Sequence, residues 1–265
     1  AGGAATGGSR AREVMEVVVT EVVDAGEFYV QRVGEPRVQW VADQVRTAGA
    51  ADPPAIPPEL RAGSLCLAQY SLDKQWYRAY VEKAHPGAYD VFFVDFGNRE
   101  RVVDRCVRPI DAALAAVPPQ ALQCSLAYLK VPQGAHEYAG EARALLGQLL
   151  SGGQTLVATV VGKEKPGPKD NARHPKWAGN RSVVTLVEAG TNADVAVELL
   201  CAGLARLPKL KRVRDPAARE AITALASFED EAKEARRGLF VYGDPGDSED
   251  EEPAAPKAGA WGKPR

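Results

Sequence analysis

The chain has 265 residues, 45% of them hydrophobic and 26% charged, and its formal net charge is −2. This composition is typical of a folded globular protein and excludes a polycation, so any surface for nucleic acid has to be local. No apolar run reaches the length of a transmembrane helix, and the four cysteines are scattered without a CxxC pair. We therefore expect no membrane partner, no metal and no cofactor, with reduced thiols in the cytosol or nucleus.

The first part of the chain predicts a linker, a hairpin and a helix. Residues 1–12 are rich in glycine and alanine and are interpreted as a linker, and the abrupt start suggests the tail end of a longer protein. Residues 14–33 are rich in β-branched side chains, and the Asp-Ala-Gly sequence at 24–26 can turn a β-hairpin. Residues 35–47 carry valines at spacings of three and four, which predicts a helix. Residues 48–58 contain two Pro-Pro pairs and predict a connection.

Residues 64–108 are the most strongly patterned part of the chain. Four short runs rich in aromatic and β-branched residues follow one another there, at residues 65–70, 76–82, 89–95 and 101–103. Turn-forming residues separate the runs. The pattern predicts a small antiparallel meander of bent strands that closes as a barrel.

The second part of the chain adds strands and helices. Strands are predicted at residues 121–131, 155–161 and 182–187, and helices at residues 135–150, 195–204 and 217–236. A long basic loop, residues 162–181, separates the last two strands, and an acidic tail after residue 243 is predicted to be disordered. Neither flank of the meander has enough strands to close a sheet alone. We therefore predict a mixed β/α fold, mainly β with flanking helices, in which the meander is inserted into a split five-stranded barrel of OB type.

Aromatic residues are concentrated in the meander, although the whole chain is only 7% aromatic. Eight of them lie there: Tyr70, Trp76, Tyr77, Tyr80, Tyr89, Phe92, Phe93 and Phe96. A domain this small cannot bury all eight, so some are candidates for a ligand site. On a regular strand Phe93 and Phe96 would face opposite sides. They share one side only if the chain bends from about Asp95, and the following Gly97 allows such a bend.

The run from Tyr70 to Asn98, with Trp-Tyr-Arg-Ala at 76–79 and Val-Phe-Phe-Val-Asp-Phe-Gly-Asn at 91–98, resembles a Tudor domain. The resemblance implies an aromatic cage with an asparagine beside it, formed by Tyr70, Tyr77, Phe93, Phe96 and Asn98. Methylation keeps the charge of an arginine and removes N–H donors, and aromatic faces attract such a weakly hydrated cation. The family often has tyrosine where this chain has Phe93 and Phe96, so two hydroxyls are missing while the ring faces remain.

The flanks of the meander resemble the carboxy-terminal region of the Tudor staphylococcal nuclease family. Matching segments are residues 17–22, 28–31, 131–133 and 235–244, followed by an acidic tail. The basic loop at 162–181 is longer than the family leads us to expect. The resemblance implies these boundaries: a linker at 1–12, nuclease-like parts at 13–59 and 111–243, a Tudor domain at 60–110 and a disordered tail at 244–265.

Nuclease chemistry is not expected in this chain. Active nuclease relatives carry an Asp-Gly-Asp-Thr-like cluster on the hairpin, whereas this chain has Asp-Ala-Gly-Glu-Phe at 24–28. One acid matches and the threonine is absent, so Asp24 and Glu27 are interpreted as turn and solvent-facing residues. The resemblance implies that the full-length family protein acts as a ribonuclease through its other domains.

The basic loop is a candidate RNA contact. Its members are Lys165, Lys169, Arg173, Lys176, Trp177 and Arg181. Cations hold a phosphate backbone and an aromatic ring stacks a base, but a simple solvated loop explains the same residues.

The main functional prediction is a binding module that reads symmetric dimethylarginine in Arg/Gly-rich protein tails. By resemblance, its partners would be spliceosomal Sm proteins and Argonaute or Piwi proteins. This would place a monomeric module in RNA silencing and splicing, in cytoplasmic RNA granules and also in the nucleus. Two alternatives stay open: a nuclease-like module that binds or cleaves RNA, and the extended Tudor unit of a germline scaffold that binds Piwi.

Overall fold

The computed structural model describes residues 12–51, 59–150, 152–165 and 180–243. The predicted linker up to residue 11 and the predicted acidic tail from residue 244 lie outside these ranges. The described strands are β1 (Val14–Asp24), β2 (Glu27–Arg32), β3 (Leu65–Gln69), β4 (Trp76–His85), β5 (Ala88–Phe93), β6 (Arg99–Val103), β7 (Val107–Arg108), β8 (Leu122–Leu126), β9 (Leu156–Glu164) and β10 (Arg181–Glu188). The described α-helices are α1 (Pro36–Ala50), α2 (Ala112–Ala115), α3 (Ala139–Leu150), α4 (Val195–Cys201) and α5 (Pro216–Glu234).

Strands from both flanks of the meander close into one barrel, which we call the nuclease-like barrel. Its order is β1-β2-β8-β10-β9, with β8 and β10 parallel and the other neighbouring pairs antiparallel. Buried side chains such as Val17, Phe28 and Leu186 fill its interior, and Leu146 of α3 and Leu199 of α4 pack against the same core. Neither flank could complete this core alone.

The meander between these strands forms a second unit, which we call the Tudor sheet. Its five strands have the order β6-β5-β4-β3-β7, and small or aromatic residues such as Ala79 and Phe93 fill its own core. Together the two units confirm the predicted mixed β/α fold, a Tudor unit inserted into a split OB-type barrel. The domain boundaries given above stay predictions.

Buried apolar contacts pack the Tudor sheet against β2 and against helix α1. Tyr29 of β2 packs on Phe92 of β5 with ring centroids 5.6 Å apart, and Val94 belongs to the same apolar cluster. Helix α1 buries Val41 and Val45 against the Tudor sheet. These contacts hold the nuclease-like barrel against the end of β5, where the predicted cage lies.

Several element limits differ from the sequence expectation. The strand predicted at 121–131 ends at Leu126, because the chain then turns and Tyr128 adopts a positive φ of 63°. The strands predicted on either side of the basic loop are longer, since Arg181 pairs with Glu164 across β9 and β10. The centre of that loop, residues 166–179, lies outside the described residues. None of the described helices is long and apolar enough to cross a membrane.

Candidate functional site

A cavity of about 200 Å³ lies where the Tudor sheet meets strand β1 of the nuclease-like barrel. We call it the cage cavity. It is lined by Thr20, Glu21, Tyr70, Asp73, Tyr77, Phe93, Phe96 and Asn98. The structure therefore brings together all five residues named from the Tudor resemblance, and it adds three polar residues that the sequence analysis did not name.

Neighbouring rings of the cage meet edge to face, with interplanar angles of 76–84°. The ring centroid of Tyr77 is 4.9 Å from that of Phe96, with an interplanar angle of 76°, and 6.0 Å from that of Phe93, with an interplanar angle of 84°. The ring centroids of Tyr70 and Phe93 are 5.5 Å apart, with an interplanar angle of 77°. Phe93 is only 1% exposed, so it forms the floor of the cavity and belongs to the Tudor core as well. Because all four residues line one cavity, a flat cation bound there would lie beside several aromatic rings.

A tight turn brings Phe93 and Phe96 to the same side. Strand β5 ends at Phe93, whose carbonyl accepts the backbone N–H groups of Phe96 at 3.2 Å and Gly97 at 2.8 Å. Gly97 has φ +94°, a left-handed conformation that glycine adopts without strain. The predicted bend is thus confirmed, and it begins directly after Phe93, slightly earlier than expected. We call residues 94–98 the cage turn.

The nuclease-like barrel holds the cage turn from behind. The hydroxyl of Thr20 donates to the carbonyl of Phe96 at 2.6 Å, and the side-chain amide of Gln31 donates to the carbonyl of Asp95. Tyr29 lies so close to Gly97 that a Cβ atom there would be 2.2 Å from the tyrosine ring. The position of Phe96 therefore depends on strands β1 and β2.

Asp73 fixes the orientation of one cage ring. Its carboxylate accepts the hydroxyl of Tyr77 at 2.6 Å and the backbone N–H of Gln75 at 2.9 Å. Burial and this hydrogen bond raise the pKa of Tyr77. Tyr77 consequently remains a neutral phenol whose hydroxyl is already engaged, and its ring face is left for a ligand.

The chain is similar to known proteins both in sequence and in fold. The family model of the Tudor domain matches residues 10–128. Ribonuclease TUDOR 2 of Arabidopsis thaliana is 34% identical over 255 residues, which is 92% of this chain and 26% of the relative. The extended Tudor domain of Drosophila melanogaster Tudor-SN superposes with a TM-score of 0.71 at 21% identity, covering 87% of this chain and all of that one. The chain is thus similar to the Tudor domain over residues 10–128 and to Ribonuclease TUDOR 2 over most of its length. It spans about a quarter of the length of Ribonuclease TUDOR 2 and Ribonuclease TUDOR 1 of Arabidopsis thaliana.

A second group of similar structures consists of extended Tudor domains with bound peptides. The human TDRD1 extended Tudor domain, in complex with a symmetrically dimethylated peptide, has a TM-score of 0.62 and 26% identity, and the match covers 75% of this chain and 92% of that one. The match extends beyond the Tudor sheet, because three quarters of the chain is longer than that sheet alone.

Asp24 and Glu27, which the sequence analysis interpreted as turn and solvent-facing residues, both accept hydrogen bonds within the protein. The carboxylate of Asp24 accepts the backbone N–H of Gly26 at 2.8 Å, as a turn residue does. Glu27 is 8% exposed and accepts the side-chain amide of Gln123 at 2.8 Å. The expectation that Glu27 faces solvent is therefore wrong, because β8 pairs alongside β2 and covers it. Within the described ranges, no group of three His, Cys, Asp or Glu residues could hold a metal ion.

The candidate RNA residues are only partly described. Lys165 is exposed directly after β9, and Arg181 opens β10 with its guanidinium 3.1 Å from the carboxylate of Glu164. The two cations thus lie at the same end of one strand pair, and part of the charge of Arg181 is balanced. Lys169, Arg173, Lys176 and Trp177 lie outside the described residues.

Proposed function

We propose that the chain is a methylarginine reader that binds symmetric dimethylarginine in Arg/Gly-rich protein tails. The observation that carries the proposal is the cage cavity, where four aromatic rings and Asn98 line one space open to a ligand. The name and bound peptide of the human TDRD1 domain support the same ligand class for this fold.

The rings favour the methylated form for a physical reason. Methylation leaves the positive charge of the guanidinium in place but removes N–H groups that would otherwise bind water. Transfer from water into the cage cavity then costs less, while each ring face contributes about 0.5–2 kcal/mol of cation–π attraction. Asn98 is placed to hydrogen-bond an N–H that remains. After the cost of ordering a peptide, a micromolar affinity, roughly −8 kcal/mol, is the expected order of magnitude.

The partners and the cellular location are part of the same proposal, and they are supported by the resemblance to the family. Arg/Gly-rich tails of Sm proteins and of Argonaute or Piwi proteins are the proposed ligands. The proposed settings are RNA silencing, splicing and cytoplasmic RNA granules, with a nuclear share. The nuclease-like barrel of this chain serves as a scaffold for the cage in this proposal, and cleavage of RNA belongs to other domains of the full-length family protein.

The test is isothermal titration of the purified chain with one Arg/Gly peptide in unmodified, asymmetric dimethyl and symmetric dimethyl forms. We expect the symmetric form to bind most tightly. Tyr77→Ala and Asn98→Ala should weaken it without unfolding the protein, whereas Trp40→Ala removes an exposed aromatic outside the cavity and should change nothing. Equal affinity for all three peptides, or folded Tyr77→Ala and Phe96→Ala proteins that bind normally, would refute the proposal.

A further inference from the structure

Strand β1 of the nuclease-like barrel places a carboxylate on the wall of the cage cavity. Glu21 is partly buried and lines the cavity together with the cage rings and Asn98. We infer that Glu21 is a specificity-determining residue that binds the N–H groups of the methylated guanidinium and restricts the cavity to cationic ligands. This inference rests on the proposed function, because it assigns the ligand's charge contact in the same site.

A bulge in β1 explains how this side chain reaches the cavity. Val19 pairs with Val30 and Glu21 pairs with Tyr29, so Thr20 is an extra residue in β1. In a regular strand, the neighbouring side chains of Thr20 and Glu21 would face opposite sides. A bulge re-aims side chains locally, and here both residues line the cage cavity. Thr20 holds the cage turn while Glu21 is left facing the space.

The carboxylate of Glu21 has no contact partner of its own. Within the ranges that the structure describes, it makes no hydrogen bond and no ion pair. The two cations that act on it are engaged elsewhere: Arg99 pairs with Glu82 at 3.0 Å, and Arg143 donates to the carbonyl of Val22 at 3.3 Å. A partly desolvated anion without a partner is unfavourable in the free protein, and a bound cation removes that penalty.

The chemistry of the ligand matches this position. A dimethylated guanidinium keeps its charge and several N–H donors, which a carboxylate accepts better than a neutral group does. Around Glu21, the other charged groups are Asp73 on the loop between β3 and β4, Arg99 on β6 and Arg143 on α3. The rings thus select for methylation and the carboxylate selects for charge.

The experiment compares Glu21→Gln with the matched control Glu16→Gln, an exposed glutamate on the same strand outside the cavity. The probe is the symmetric dimethylarginine peptide, measured by titration calorimetry. A hydrogen bond to a charged group is the interaction lost, so affinity should fall about tenfold or more for Glu21→Gln and stay unchanged for Glu16→Gln. Thermal stability of Glu21→Gln should equal or exceed that of the wild type, since an unpaired desolvated charge is removed. A structural role would instead lower stability.

A pH series gives a second readout. Burial raises the pKa of Glu21, although Arg143 and Arg99 lower it. The wild-type affinity should therefore weaken as the pH falls towards this raised pKa, because the carboxylate takes up a proton, and Glu21→Gln should lose much of that dependence. If the wild type reads methylarginine and Glu21→Gln binds within about twofold of Glu16→Gln, this inference is overturned and the proposed function stands. If the wild type does not distinguish methylated from unmodified peptide, both are overturned.

Discussion

Arg78 of β4 is a buried cation at the junction of the Tudor sheet and the nuclease-like barrel. Replacing it should lower the free energy of unfolding. Its side chain is 1% exposed. Its Nε and Nη2 atoms donate to the two carboxylate oxygens of Asp95 at 2.9 and 2.6 Å. The remaining donors reach the carbonyls of Leu114 at 2.9 Å, Val117 at 2.7 Å and Pro118 at 3.0 Å. One guanidinium therefore ties the cage turn to the chain that returns to the nuclease-like barrel.

The magnitude follows from what Arg78→Met leaves behind. Methionine keeps the length of the side chain but removes every donor, so Asp95, whose side chain is 7% exposed, becomes a buried charge without a counter-ion. Removing one partner of a buried ion pair costs about 3–5 kcal/mol of unfolding free energy. For a domain of this size, each kcal/mol corresponds to roughly 2–4 °C, so the melting temperature should fall by about 10 °C.

Chemical denaturation and circular dichroism melting measure the loss. Arg101→Met is the matched control, because Arg101 forms an ion pair with Asp90 at 2.7 Å but its side chain is 63% exposed. Solvent screens such an exposed pair, so its loss should change the melting temperature little. A double change, Arg78→Met with Asp95→Leu, should recover much of the lost stability, since an apolar pair leaves no buried charge. The reasoning fails if Arg78→Met costs no more than Arg101→Met.

Three further outcomes are expected. Gly97→Ala should lower both stability and methylarginine affinity, because its Cβ would meet Tyr29 at 2.2 Å and the positive φ disfavours alanine. Thermal denaturation should show a combined cost of about 2–4 kcal/mol, and a well-folded variant with normal affinity would contradict this. Thr20→Val should weaken peptide binding several-fold with little change in fold, because the carbonyl of Phe96 loses a hydrogen bond of about 1 kcal/mol; unchanged affinity would show that Thr20 does not position the ring. The purified chain with Ca²⁺ should leave RNA intact on a gel, and turnover abolished by Asp24→Ala would disprove it.

The aromatic half of the candidate site could be predicted from the sequence because its signals are local. Tyr70 and Tyr77 flank one turn and Phe93 and Phe96 flank another, and the resemblance of this run to a Tudor domain assigns all four rings to one cage. The split barrel could be predicted for a related reason, since unpaired strands on each side of the meander need partners.

The polar half could not be predicted, because it depends on contacts between distant segments. Nothing in the local sequence marks the bulge at Thr20, and in a regular strand Thr20 and Glu21 would not both face the cavity. Arg78 and Glu27 are residue types that usually lie on the surface. Both are buried here, because Arg78 pairs with a residue 17 positions away and Glu27 with one 96 positions away. Charged residues are buried only where a partner satisfies them, and a single sequence does not reveal that partner.

The cage turn shows why the proposed methylarginine site depends on the nuclease-like barrel. Each residue from 94 to 97 is contacted from the nuclease-like side, by Ala121, Gln31, Thr20 and Tyr29 in turn. A turn without such support would sample other conformations, and ordering it would reduce the small free energy that a few cation–π contacts supply. Because the rings come from the Tudor sheet and their support from β1 and β2, the cavity is preorganised only while both barrels are assembled. Strand β1 holds Phe96 through Thr20 and also carries Glu21, so one strand both supports the cage and places a carboxylate on its wall.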